Sequence, residues 1–180
     1  SEDFLSDEKL KVLVVGIGIS NRVKGFSDLL TGLEELAHDS ELIELIHYNV
    51  VSDRRSWRQI SNYSYDLYPK QSPDQMVRLF QHSDIVLIPS YMETFGQLAF
   101  EAMACGCTVV VREGTPMADY VSKYGGGIVI DSFKGESLKE AILSSRHITI
   151  DISAMRDSLN SSFGYDEIGN LWKDVLSTLV

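Results

Sequence analysis

The run Ile85-Val86-Leu87-Ile88-Pro89-Ser90 passes through Tyr91-Met92 into Glu93-Thr94-Phe95-Gly96-Gln97-Leu98-Ala99-Phe100-Glu101-Ala102-Met103-Ala104. Its first part is short and continuously apolar, as expected of a strand covered on both faces. Its last part is rich in Leu, Ala and Met and reads as a helix. A strand, a turn and a helix N-terminus therefore meet between Pro89 and Gln97. In an open α/β sheet such a junction is where ligands sit. A helix start offers unpaired N–H groups and a partial positive charge, which suit phosphate. Carboxylates such as Glu93 and Glu101 accept hydrogen bonds from hydroxyls. Gly96 between them permits close approach of a ligand. The stretch reads as a site for something both phosphorylated and rich in hydroxyls.

The same alternation extends in both directions. Residues 1–9 are polar and acidic and read as a linker or leader. Lys11 to Gly16 predicts a buried strand. Phe26 to Ala37 predicts a helix with Phe26, Leu29, Leu30, Leu33 and Leu36 on one face. Glu41 to Val50 predicts a second strand, residues 51–62 take no assignment, and Tyr63 to Tyr68 reads as a half-buried strand. Ser72 and Pro73 suit the N-cap and first position of a helix reaching about His82. After strand 84–89 and helix 96–104 come strand 107–111, a helix from Thr115-Pro116 to Tyr124, strand 128–130 and helix 134–145. The tail, 151–180, reads as two helices broken near Phe163-Gly164. Strands that alternate with helices and are apolar throughout imply a mostly parallel sheet covered on both faces. The expected fold class is α/β: one Rossmann-like domain over residues 10–180.

Composition removes several functions. The 180 residues carry a formal net charge of −10, which disfavours unspecific binding to nucleic acid or to an anionic membrane. No apolar run approaches the roughly 20 residues of a membrane span, and no secretory signal opens the chain. Cys105 and Cys107 share one apolar segment and read as buried, inert thiols, which fits a cytoplasmic protein. His38, His47, His82 and His147 lack metal-ligand spacing. No Asp-x-Asp, no phosphate loop of the Walker type and no Gly-x-Ser-x-Gly elbow occurs. Trp57 and Trp172 read as packing residues.

Two further turns carry candidate chemistry. Gly16-Ile17-Gly18 follows a strand, but a dinucleotide fingerprint needs a third glycine where Asn21 stands. Arg22-Val23-Lys24-Gly25 precedes the first helix, where basic side chains and aligned N–H groups would hold a diphosphate. A solvated loop before a helix is the plainer reading of that tetrapeptide. Glu113-Gly114-Thr115-Pro116 is a third strand-to-helix turn, as consistent with a simple helix start as with ligand contact.

Pro89-Ser90, Glu93-Thr94-Phe95-Gly96-Gln97-Leu98-Ala99-Phe100-Glu101-Ala102-Met103-Ala104-Cys105-Gly106-Cys107-Thr108-Val109-Val110 resembles the signature of retaining glycosyltransferases with the GT-B fold, glycosyltransferase family 4. That signature reads roughly Pro-Ser-x-x-Glu-Gly-Phe-Gly-Leu-x-x-Leu-Glu-Ala-Met-Ala-x-Gly-x-Pro-Val-Val. Lys24-Gly25, Asp74-Gln75-Met76 with Phe80 and Ser83-Asp84-Ile85, and Phe163-Gly164-Tyr165 resemble other family segments in the same order. The resemblance covers residues 10–180 and only the C-terminal half of such an enzyme.

The resemblance implies a role for each matching residue. Lys24 would contact the diphosphate of a nucleotide-sugar donor, and Glu93 the hydroxyls of the transferred sugar. The backbone amides of Phe95 and Gly96 would face the sugar, and those of Gln97 and Leu98 the phosphate. Glu101 would bind the ribose, and Lys70, in Pro69-Lys70-Gln71, would lie by the nucleobase. The family's arginine five residues before the lysine is Ile19 here, so Arg22 is the alternative partner for the diphosphate. Thr94 replaces a glycine at the sugar pocket, and Thr108 a proline. The implied activity is metal-independent transfer of a sugar from a nucleoside-diphosphate sugar to a glycan or lipid-linked acceptor, with no further cofactor. The implied partner is an N-terminal acceptor-binding domain or partner chain, without which this part would transfer nothing. Any approach to a membrane would fall to that half. Against this stand a degenerate, non-catalytic module kept for partner binding, and an oxidoreductase half using the Gly16/Gly18 turn.

Overall fold

The computed structural model describes residues 9–16, 22–52, 63–164, 166–167 and 170. Expectations for the leader, for Ile19 and Asn21, for Trp57 and Trp172, and for the last tail helix lie outside the described residues, wholly or nearly so. Six strands form one parallel sheet: β1 Leu10–Val15, β2 Ile46–Val51, β3 Ser64–Tyr68, β4 Ile85–Ile88, β5 Thr108–Arg112 and β6 Gly127–Ile130, in the order β3-β2-β1-β4-β5-β6. The helices are α1 Phe26–Leu36, α2 Ser40–Leu45, α3 Pro73–Gln81, α4 Gln97–Ala104, α5 Pro116–Tyr124, α6 Gly135–Ser145 and α7 Ile152–Phe163. A 3₁₀ turn, Arg22–Lys24, leads into α1.

Alternate strand residues feed two separate cores, which is why the central strands carry unbroken apolar runs, 12–15 in β1, 85–88 in β4 and 109–111 in β5. Val12 and Val14 of β1, with Ile85 and Leu87 of β4, pack with Leu29 and Leu33 of α1 and Ile142 of α6. Leu13, Val86 and Ile88 point the other way, to Ala99 and Met103 of α4, Met117 of α5 and Met155 of α7. The expected α/β, Rossmann-like fold is what the chain adopts.

The segment expected as one strand over 41–50 is half helix. Asp39 caps α2 by accepting from the N–H groups of Glu41 and Leu42, and Leu42 is buried beneath that turn. The strand begins only at Ile46. The Asp39 carboxylate also receives Lys139 Nζ from α6 at 2.8 Å, which ties the cap to the neighbouring helix. Both cysteines are free thiols. Cys107 is wholly buried and donates to the carbonyls of Phe80 and Ser83, and burial pushes its thiol up to about 12. Cys105 departs from the expectation in being only half-buried, although burial again raises its thiol.

Candidate functional site

The strand order reverses direction between β1 and β4, because β1 leads outward to β2 and β3 while β4 leads to β5 and β6. The crevice beyond the C-terminal ends of those two strands is the ligand position of such sheets. Two turns meet there. The turn after β1 carries Lys24, and the turn after β4 carries Ser90 and Glu93. Lys24 Nζ lies 2.6 Å from Glu93 Oε1, and Ser90 Oγ donates to the same oxygen at 2.8 Å. The lysine side chain is 42% exposed and the glutamate 18%. A pair this open to solvent adds at most about 1 kcal/mol to folding. The two turns are joined by backbone, since the Tyr91 N–H donates to the Val23 carbonyl at 2.8 Å.

Glycine shapes both turns. Gly25 precedes α1 at φ 64°, and any Cβ there would collide with the Pro89 carbonyl oxygen. Gly96 precedes α4 at φ 75°, and a Cβ there would meet the Met117 side chain. Neither helix has a side-chain cap, and the start of α4, with Gln97 and Leu98, borders this crevice. A cavity of about 270 Å³ lies between them, lined in part by Lys24, Ser90, Glu93, Gly96, Gln97 and Leu98. It offers one cation, one carboxylate, a hydroxyl and the N-terminus of α4, with an apolar floor from Val15, Phe26 and Met117.

The structure thus brings Lys24, Glu93, Gly96, Gln97 and Leu98 together. Arg22 is exposed in the turn before α1, and Thr94 is exposed beside Glu93, neither lining the cavity. The Phe95 ring turns away into an aromatic cluster, 5.1 Å from Phe100 and 5.4 Å from Phe163, so this residue can meet a ligand in the cavity only through its backbone. Glu101 is exposed on α4, about one turn past its start. Lys70 is exposed after β3, three strand positions from β4, or roughly 14 Å at ordinary strand spacing.

Sequence reasoning passed over the layer beneath. Arg112 ends β5 and is 8% exposed. Its Nε donates to the Pro89 carbonyl at 3.3 Å and its Nη1 to the Asp131 carbonyl at 2.9 Å. Its guanidinium stacks 4.0 Å from the Tyr91 ring centre. Asp28 of α1 accepts from the Tyr91 hydroxyl and lies 3.6 Å from Arg112 Nη2 and 3.3 Å from Lys134 Nζ. The Tyr91 hydrogen bond, with Lys134 and Arg112 adding to it and burial opposing, holds the Asp28 carboxyl below its ordinary value. The same bond pushes the Tyr91 phenol up. A charged residue closing the apolar run Thr108-Val109-Val110-Val111 was the one available signal.

The family model described as Glycosyl transferases group 1 matches residues 5–147. Among curated proteins, a D-inositol 3-phosphate glycosyltransferase of Segniliparus rotundus is 36% identical over 80 residues, 43% of this chain and 17% of that protein. Among solved structures, a sucrose-phosphate synthase of Thermosynechococcus elongatus superposes with a TM-score of 0.70 at 19% identity, covering 97% of this chain and 47% of that one. An α,α-trehalose-phosphate synthase (UDP-forming) of Burkholderia vietnamiensis gives 0.68 at 13% identity, over 96% and 45%. The chain therefore spans about a sixth of the curated relative and just under half of these structural neighbours.

Proposed function

This chain belongs to the group 1 glycosyl transferases, and on that premise we propose that it is the donor-binding half of a retaining enzyme of glycosyltransferase family 4. The donor is a nucleoside-diphosphate sugar and the acceptor a glycan or lipid-linked saccharide. The observation that carries this reading is the meeting of Lys24 and Glu93 at 2.6 Å, from turns 69 residues apart, beside the uncapped start of α4. Lys24 and the amides of Gln97 and Leu98 supply positive potential where a diphosphate leaving group develops charge, so no metal is needed for that task. Arg22 adds to that potential from the turn. Glu93, steadied by Ser90, accepts from the sugar hydroxyls and fixes the sugar relative to the scissile bond. The amides of Phe95 and Gly96 complete the sugar contact, with Thr94 at the rim. Glu101 binds the ribose and Lys70 lies toward the base.

Without ligand, Lys24 commits its charge to Glu93. A bound diphosphate draws the ammonium away and frees a carboxylate oxygen for a hydroxyl. The acceptor side of the cleft belongs to another domain or chain, and this half alone transfers nothing. Titration calorimetry with UDP, GDP and ADP tests the reading: one of the three should bind measurably, and equal, negligible heats for all three would overturn it for this chain. Joining the chain to an N-terminal acceptor domain separates it from a partner-binding module. Transfer that survived Glu93→Ala and Lys24→Ala would favour the module.

A further inference from the structure

The loop holding Ser90 and Glu93 is clamped on both sides of Ser90. Before it, the Pro89 carbonyl receives Arg112 Nε, with Gly25 pressed against the same carbonyl. After it, Tyr91 is held by three bonds of different kinds: its N–H to Val23, its hydroxyl to Asp28, and its ring face to the Arg112 guanidinium. Arg112 takes part on both sides. Its Nη1 is anchored on the Asp131 carbonyl beyond β6, and its buried Nη2 has no hydrogen-bond partner among the described residues but faces Asp28 at 3.6 Å. A planar guanidinium can serve carbonyls in two directions and stack at the same time, which an ammonium cannot.

We infer that Arg112 is a positioning residue: clamped between Asp131 and Asp28, it fixes the 89–93 loop so that Glu93 meets Lys24. The inference rests on the donor-site reading for its effect on ligand, but its effect on the loop stands alone. A cation below the loop also accounts for the placing of Asp28, whose carboxylate would otherwise be bonded by Tyr91 and Lys134 alone. Arg112 does not line the cavity; it meets the Pro89 carbonyl and acts on ligand through the loop.

Amide hydrogen exchange tests the clamp without ligand. In Arg112→Met the Tyr91 N–H should exchange at least about tenfold faster, while Val86 and Leu87 in the central strand β4 keep their rates. Arg112→Lys should recover only part of the protection. Unchanged exchange at Tyr91 would overturn the inference, and equal acceleration at Tyr91, Val86 and Leu87 would overturn it by showing general loss of stability. Calorimetry then compares UDP, GDP and ADP with UDP-glucose, GDP-mannose and ADP-glucose. Arg112→Met should weaken the sugar forms about tenfold and the bare diphosphates less than about twofold, since Glu93 is what shifts. Equal losses in both sets would overturn a role in placing Glu93. Silence of all six ligands with the unaltered chain would instead sink the donor reading, leaving the clamp to be decided by the exchange rates.

Discussion

Helices α3 and α4 both begin at the C-terminal edge of the sheet, and they treat their first amides in opposite ways. Ser72 accepts from the Gln75 N–H, and Gln75 Oε1 accepts in return from the Ser72 N–H, closing a capping box with Pro73 at the first turn. At α4 the corresponding residue is Gly96, with no side chain to offer and a left-handed backbone. α1 repeats the pattern with Gly25. The capped end meets its own demand for acceptors locally. The glycine ends offer no side-chain acceptor, and both border one crevice where a lysine and a glutamate meet. α5 and α6 also start without a side-chain cap, so what marks the site is the convergence of Lys24 and Glu93 beside the glycine-led starts.

The largest expected effect breaks the glycine side of that comparison. Gly25→Ala forces a Cβ against the Pro89 carbonyl in a left-handed conformation and should cost about 3 kcal/mol in chemical denaturation. Lys24→Met leaves the helix start open but removes its cation, and should weaken the best nucleoside diphosphate about tenfold, or about 1.4 kcal/mol, by calorimetry. Ser72→Ala opens α3 artificially. It should lower stability by about 1 kcal/mol in the same denaturation assay without changing diphosphate affinity, because the start of α3 does not line the cavity that holds Lys24 and Glu93. Smallest is Asp28→Asn. The folded Asp28 carboxyl sits below its ordinary value of 3.8, so its contribution is present above that pH and is lost as pH falls through the lower folded value. The variant should be weaker than the unaltered chain by about 0.5 kcal/mol at neutral pH. The two should converge in acid, as read from urea midpoints between pH 2 and 7.

Strands and site were legible for different reasons. β4 is apolar at every position, and β1 and β5 are apolar over 12–15 and 109–111, because both faces are covered, and that is visible in any linear reading. Glu93, Gly96 and Lys24 were legible because carboxylate, glycine and lysine fall at strand-to-helix turns. α2 was missed because a six-residue helix shows fewer than two turns of periodicity, and it runs directly into Ile46. Its Asp39 cap was the signal to weigh. Arg112 was illegible because its partners, at 28, 89, 91 and 131, are scattered along the chain and converge only when α1, β4 and β6 are placed side by side.

The position of β1 has a consequence for how the chain reaches this state. Val12 pairs with Tyr48 on one side and with Ile85 on the other, so the central strand stays half-satisfied until residues far along the chain arrive. Loops of that length must close before their contacts reward them, which makes folding slow compared with helical domains of similar size. During synthesis, β1, β2 and β3 can assemble first, with the β1 edge exposed until β4 emerges. That interval, when an apolar strand edge is unpaired, is when the chain is most prone to aggregate and most dependent on chaperones.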